Sequence, residues 1–245
     1  EITNPALLAF EYALTQLWAG WGIRPVALMG FSLGELAAAV LSSVFDPQQG
    51  LALARERGRL FDSVPSGAMT SVFLSEAKVR PYLAKSLEVA INRDSESCVV
   101  SGPVDGIEAL EKRLADDKVL HMRLDVKTAG HSVLVDGIMD EFRSIVAEAS
   151  RRRPQIPLVS NVSGGWLGND EAIDPSYWAR QLRETIQFGT GLQTLLESGA
   201  DIILEIGPGA HLTSLMSRQL HSKQGDVHAT PSISPAVRAS HPGLL

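Results

Sequence analysis

A serine held between two glycines is the strongest chemical feature of this sequence. Gly30-Phe31-Ser32-Leu33-Gly34 follows the apolar run Val26–Met29 and precedes an alanine-rich stretch from Glu35 to Leu41. Gly-x-Ser-x-Gly between a buried strand and a helix reads as a nucleophile elbow, a turn whose glycines leave room for a strained serine. The hydroxyl then stands at a helix N-terminus, where backbone N–H groups can hold a developing oxyanion, that of Leu33 first among them. The plainer reading is an incidental Gly-Ser turn; the strand before it and the helix after it favour the nucleophile. A serine nucleophile needs a base, and the chain carries six histidines. His121 falls in a strand pattern, and His221, His228 and His241 fall in a polar tail. His131 and His211 remain. Spacing leaves both open, since Ser32…Asp201…His211 also follows a Ser…Asp…His order that triads use.

The elements that must position these residues read as an α/β fold. Leu7 to Trp21 is an amphipathic helix ended by Gly20, Gly22 and Pro25, and Pro47 to Phe61 is a further helix. Between Met69 and Asp125 the order is strand 70–74, helix 76–84, strands 87–91 and 97–100, helix 105–114 and strand 120–124. That β-α-β-β-α-β order is ferredoxin-like. A helix at 132–149, a strand at 158–162, helices near 177–182 and 191–198, and a strand at 202–206 closed by Gly207-Pro208-Gly209 complete the pattern. The expected organisation is therefore an α/β-hydrolase-like large subdomain with a parallel sheet, from residues 1–67 and 127–223. A ferredoxin-like small subdomain, 68–126, is inserted into it, and 224–245 is a loosely packed tail.

Composition narrows the function. The 245 residues are 44% hydrophobic, an ordinary globular balance. With 22 basic and 28 acidic residues the net charge is −6, which argues against a nucleic-acid partner. No apolar run reaches the roughly 18–20 residues of a membrane helix, and the first residues form no signal peptide. The single Cys98 requires no oxidising compartment, and a cytoplasmic setting is expected.

Five stretches, in order, resemble the malonyl-CoA:acyl carrier protein transacylase family, which includes the acyltransferase domains of polyketide and fatty acid synthases. Thr3-Asn4-Pro5-Ala6-Leu7 resembles the family's "T/A-Q-P-A-L" helix start, with Asn4 in place of Gln. Gly30 to Glu35 resembles "G-H-S-x-G-E". Arg57-Gly58-Arg59-Leu60-Phe61 resembles "R-G/S-R/K-x-[ML]", with Arg57 lying 25 residues beyond Ser32. Thr128 to Ser132 resembles "x-A-x-H-S". Tyr177-Trp178 with Gln181-Leu182, then Glu205 to Gly209, resemble "Y-W-x-x-Q-L" and "E-[IV]-G-P-G".

The resemblance implies roles. Ser32 accepts the acyl group, and His131 serves as its base and then its acid. A main-chain carbonyl at Gln181 orients His131, so no carboxylate partner is needed and His211 becomes an ordinary helix residue. Arg57 holds the free carboxylate of a malonyl unit through its planar fork. A charged hydrogen bond of roughly 1.5–3 kcal/mol, and more where a buried partner is left unpaired, corresponds to about ten- to several-hundred-fold preference over acetyl groups. Asn4, Phe31 and Gly130 line the acyl site. Phe31 stands where the family usually has histidine, and Gly130 stands where malonyl-selective members have Phe and methylmalonyl-selective members Ser. Glycine leaves room for a larger α-substituent, which Phe31 could refill in part. The implied reaction is ping-pong transfer from an acyl-CoA donor to an acyl carrier protein, without metal or bound cofactor, and with neighbouring synthase domains as further partners. A hydrolase or thioesterase using the same serine, and a catalytically silent docking domain, are the alternatives. The family's Gly-Gln-Gly-rich segment, which lies upstream of the first motif and supplies a second oxyanion donor, is not in this sequence. An N-terminally incomplete domain is therefore expected.

Overall fold

The computed structural model describes residues 2–126, 128–199, 201–220 and 227–233. The chain opens on helix α1 (Thr3–Gly20) and turns at Gly22, whose φ of +87° suits glycine. It then enters the short strand β1 (Leu28–Met29), the serine turn, α2 (Leu33–Leu41) and α3 (Pro47–Ser63). The Asp46 side chain accepts the Gln49 N–H and Pro47 occupies the first turn, so α3 begins with both usual start signals.

The small subdomain follows as β2 (Gly67–Val72), α4 (Glu76–Val79), β3 (Glu88–Asn92), β4 (Cys98–Pro103), α5 (Val104–Asp116) and β5 (His121–Arg123). Its antiparallel sheet runs β3-β4-β2-β5. Side chains alternate as a pleat requires. Ala68, Val72, Val89, Cys98 and Val100 pack towards Ile107, Leu110 and Leu114 of α5. Met69, Ala90, Ile91 and Val99 face the other way, against Ile186, Phe188, Leu192 and Met216. That second cluster joins the sheet to the rest of the chain.

The large subdomain resumes with a 3-10 segment at Val133–Ile138 and α6 (Met139–Glu148), two elements where the sequence pattern suggests one helix. Then come β6 (Leu158–Val159), α7 (Asn169–Ala172), α8 (Pro175–Arg183), α9 (Phe188–Glu197), β7 (Ile202–Glu205), α10 (His211–Leu220) and β8 (His228–Pro231). β1 pairs with β6 and β7 with β8, both in parallel. The core of this part lies between α1, α2, α3, α6 and α8, around Leu8, Phe45, Leu60, Tyr177 and Leu182. β6 is shorter than the expected strand at 158–162, because Ser160 and Asn161 turn aside into hydrogen bonds of their own. Residues 228–231, expected within a loose tail, are instead a strand held by backbone pairing to β7; residues 221–226 and 234–245 of that tail lie outside the described residues. Among the described residues, no helix is long and apolar enough to cross a membrane.

Candidate active site

The turn after β1 holds Ser32 at φ 52°, ψ −109°, a backbone conformation that costs a non-glycine residue on the order of 1–3 kcal/mol. Gly30 makes it possible, because a Cβ there would lie 2.1 Å from the Glu35 nitrogen. Gly34 has no such role, since a Cβ on it would meet nothing within 4 Å. Only the first of the two motif glycines is sterically required.

Two buried amides hold the strained turn. Asn161 Oδ1 accepts the Ser32 N–H at 2.9 Å, and its Nδ2 donates to the Gly30 carbonyl at 2.8 Å. Gln181 Nε2 donates to the Ser32 carbonyl at 2.8 Å. Behind them Glu35, fully buried, accepts the Asn161 N–H at 3.2 Å and the Tyr177 hydroxyl, which also lies 2.8 Å from Ser160 Oγ. Burial raises the Glu35 carboxyl to about 7, against the opposing pull of these hydrogen bonds. Sequence reasoning does not single out Asn161, Glu35 or the Gln181 side chain as working parts. The one signal for Asn161 is a polar Ser-Asn pair directly after a buried strand.

Ser32 Oγ lies 3.0 Å from His131 Nε2, and Arg57 Nη2 donates to the same oxygen at 2.8 Å. His131 is itself at a left-handed φ of 56°, and its N–H donates to the Leu182 carbonyl at 3.1 Å. Its Nδ1 lies 2.9 Å from the Glu184 carbonyl. A carbonyl can only accept, so Nδ1 carries the proton and Nε2 is left free to accept the serine proton. The orienting carbonyl is therefore Glu184, not Gln181. Gln181 lies inside α8, whereas Glu184 follows its last turn with extended backbone and presents its oxygen sideways. The carbonyl-rich end of α8 also faces the ring and favours the imidazolium that forms during transfer.

The segment carrying Glu184 is tied to the small subdomain. The Ile186 N–H donates to the Ala90 carbonyl at 2.9 Å, and the Asn92 N–H to the Ile186 carbonyl at 2.8 Å. Arg183 pairs with Glu88 of β3 at 2.6 Å and with Asp136 of the large part. These contacts set where the Glu184 oxygen stands.

Burial, then the Arg57 charge, lowers His131 to about 4, so the ring is neutral and competent as a base at neutral pH. Burial lowers Arg57 to about 10, which leaves it charged there. Its guanidinium sits over the Phe61 ring, 4.8 Å from the centroid. Leu33 is the first residue of α2, and its N–H makes no backbone hydrogen bond among the described residues, leaving it available to an oxyanion. A cavity of about 340 Å³ lined by His131, Arg80, Arg183, Glu184 and Gln187 opens beside the pair.

The other expected site residues are placed differently. Phe31 packs edge-to-face on Phe188 at 5.7 Å, within the cluster under the small sheet, so it does not refill the space at Gly130. The ring that meets that space is Phe61: a Cβ on Gly130 would lie 3.2 Å from Phe61 Cε1. Asn4 is half-buried in the first turn of α1 and is hydrogen-bonded to none of Ser32, His131 and Arg57. His211 starts α10, whose N–H groups at Leu212 and Thr213 are capped by Glu205, and it makes no hydrogen bond to Ser32. Among the described residues, no group of three or more His, Cys, Asp or Glu side chains could hold a metal ion.

A strained serine at a helix N-terminus, a neutral histidine fixed by a carbonyl and an α/β frame with a ferredoxin-like insert define a serine acyl-transfer enzyme. The acyl transferase domain family matches residues 1–240, and the chain belongs to that family. It is 36% identical to a phenolphthiocerol/phthiocerol polyketide synthase of Mycobacterium tuberculosis over 93% of its length, and spans only 15% of that synthase. The acyl transferase domain of SpnD, solved in complex with 2-(pent-4-yn-1-yl)malonyl, superposes with a TM-score of 0.88 at 34% identity, covering 93% of this chain and 55% of that one. The malonyl-CoA:acyl carrier protein transacylase of Xanthomonas oryzae pv. oryzae gives 0.88 at 30% identity, covering 97% of this chain and 78% of that one.

Proposed function

We propose that the chain transfers a malonyl-type acyl group, in the cytoplasm, from CoA through Ser32 to the phosphopantetheine thiol of an acyl carrier protein. The observation that carries this reading is the buried Arg57 guanidinium, 2.8 Å from the same Ser32 oxygen that faces His131. A buried cation beside the nucleophile, with no acidic partner among the described residues, suits a donor that brings its own carboxylate. The solved relative holding a substituted malonyl group supports the same class of donor.

His131 Nε2 takes the Ser32 proton as Oγ forms a bond to the thioester carbon. The carbonyl oxygen becomes an oxyanion at the Leu33 N–H. Collapse breaks the C–S bond, and the departing CoA sulfur takes the proton from His131. The carrier thiol then gives its proton to His131 and attacks the acyl-serine ester, and Ser32 recovers its proton as the ester breaks.

Intact mass after mixing with malonyl-, methylmalonyl-, ethylmalonyl- and acetyl-CoA tests the reading. Ser32 should gain the carboxylated acyl groups in preference to acetyl, and a carrier protein should discharge them faster than water does. Acylation that survives Ser32→Ala, or discharge by water alone, overturns it.

A further inference from the structure

Phe61 links two features that lie far apart in the sequence. It stands four residues after Arg57 on α3, so the two side chains share one helix face. One face of its ring carries the Arg57 guanidinium, 4.8 Å from the centroid. Its edge closes the space over Gly130, with Cε1 3.2 Å and Cζ 3.5 Å from where a Cβ would stand. Gly130 has little freedom to withdraw. It is buried, its carbonyl accepts the Ser101 hydroxyl at 2.9 Å, and it precedes His131, whose N–H is bound to Leu182.

We propose that Phe61 is a specificity-determining residue of the acyl site, its face setting where Arg57 meets the donor's carboxylate and its edge setting the room beside the donor's α-carbon. This deepens, and rests on, the reading of Arg57 as the carboxylate's partner. Gly130 is glycine because this ring occupies the space that a side chain would need. A larger residue there must push the ring, and the ring carries the guanidinium with it.

The test uses single-turnover acylation of Ser32 in the intact protein by malonyl-, ethylmalonyl- and acetyl-CoA. Variants are Phe61→Leu, Gly130→Ala, the pair together, and Arg57→Ala. Phe61→Leu should raise the ethylmalonyl-to-malonyl rate ratio at least about threefold and lower the malonyl-to-acetyl ratio. Gly130→Ala should lower the malonyl-to-acetyl ratio through the displaced ring. In the pair the two effects should fail to multiply by about threefold or more, as contacting residues do. Unchanged ratios in Phe61→Leu, or effects that simply multiply, overturn the proposal. If Gly130→Ala does not fold, the Phe61→Leu ratios decide alone. Arg57→Ala separates the two readings: retained malonyl-over-acetyl preference sinks the carboxylate role of Arg57, whereas a flattened preference with a silent Phe61→Leu sinks only the role of Phe61.

Discussion

Replacing Asn161 by alanine removes the amide that holds the backbone on both sides of the nucleophile. Its oxygen takes the Ser32 N–H and its nitrogen serves the Gly30 carbonyl, at 2.9 and 2.8 Å, and the residue is 2% exposed. Truncation leaves one buried donor and one buried acceptor without partners. Each costs about 1–3 kcal/mol, so about 2–6 kcal/mol is at stake. That cost divides between two readouts. Where the turn keeps its shape, the loss appears as reduced stability. Where the turn relaxes from φ 52°, Ser32 leaves its 3.0 Å contact with His131 and the loss appears in the rate. An even division puts about 1–3 kcal/mol into the barrier, or about five- to 150-fold slower acylation. Single-turnover acylation by malonyl-CoA and denaturant unfolding, measured on the same protein, give both parts. Relative rates with different donors should stay as in the native protein, because the Asn161 side chain bonds the turn and not Arg57. A variant that acylates within about twofold of native, and unfolds within about 0.5 kcal/mol of it, refutes the argument that this amide holds the elbow.

Two further predictions concern protons. His131 near 4 places the acid limb of the acylation rate near pH 4, and the Arg57 charge is the second cause of that low value. With an uncharged acyl donor, Arg57→Ala should move the limb upward while burial keeps it below 6.5; an unmoved limb contradicts the coupling. Glu35 has the opposite sign. Its folded value near 7 lies above its ordinary 4.5, so the folded chain keeps a proton that the unfolded chain releases. Its contribution to stability is full below pH 4.5 and is lost as pH rises through about 7, by about 3 kcal/mol for a gap of this size. Glu35→Gln, which keeps the accepting oxygen, should remove that loss in unfolding measured at about pH 5 and about pH 8. Identical pH dependence in variant and native protein would falsify a protonated Glu35.

What is legible in the sequence is local. The elbow announces itself within five residues, and the small subdomain through alternating apolar positions that the two faces of its sheet use as expected. The base is not legible from spacing, because Ser32 and His131 are 99 residues apart and His211 fits a triad order equally well. Asn161, 129 residues from Ser32, carries no motif of its own. The exchange of Gln181 for Glu184 as the orienting carbonyl turns on where α8 ends, a boundary that composition fixes poorly. β8 escapes sequence reasoning because four residues paired through backbone groups need no apolar pattern. Gly130 reads as open space because the sequence does not reveal that Phe61 fills it.

The same guanidinium that suits a carboxylated donor works against the base when nothing neutralises it. Transfer of the serine proton turns His131 into a cation beside a buried cation, and the low value of His131 already records that opposition. Arg57 also donates into the Ser32 oxygen, drawing on a lone pair that must attack. On the carboxylate reading, the donor's own carboxylate changes both. It competes for the guanidinium N–H groups, and it cancels the charge that disfavours the imidazolium. An acetyl donor supplies neither. Discrimination between the two donors then lies in the acylation barrier as well as in binding, because the interaction gains strength as charge develops on His131. This also accounts for an orienting carbonyl in place of a carboxylate. A permanent anion at Nδ1 would stabilise the imidazolium whichever donor was bound, and the donor's carboxylate would matter less to the rate.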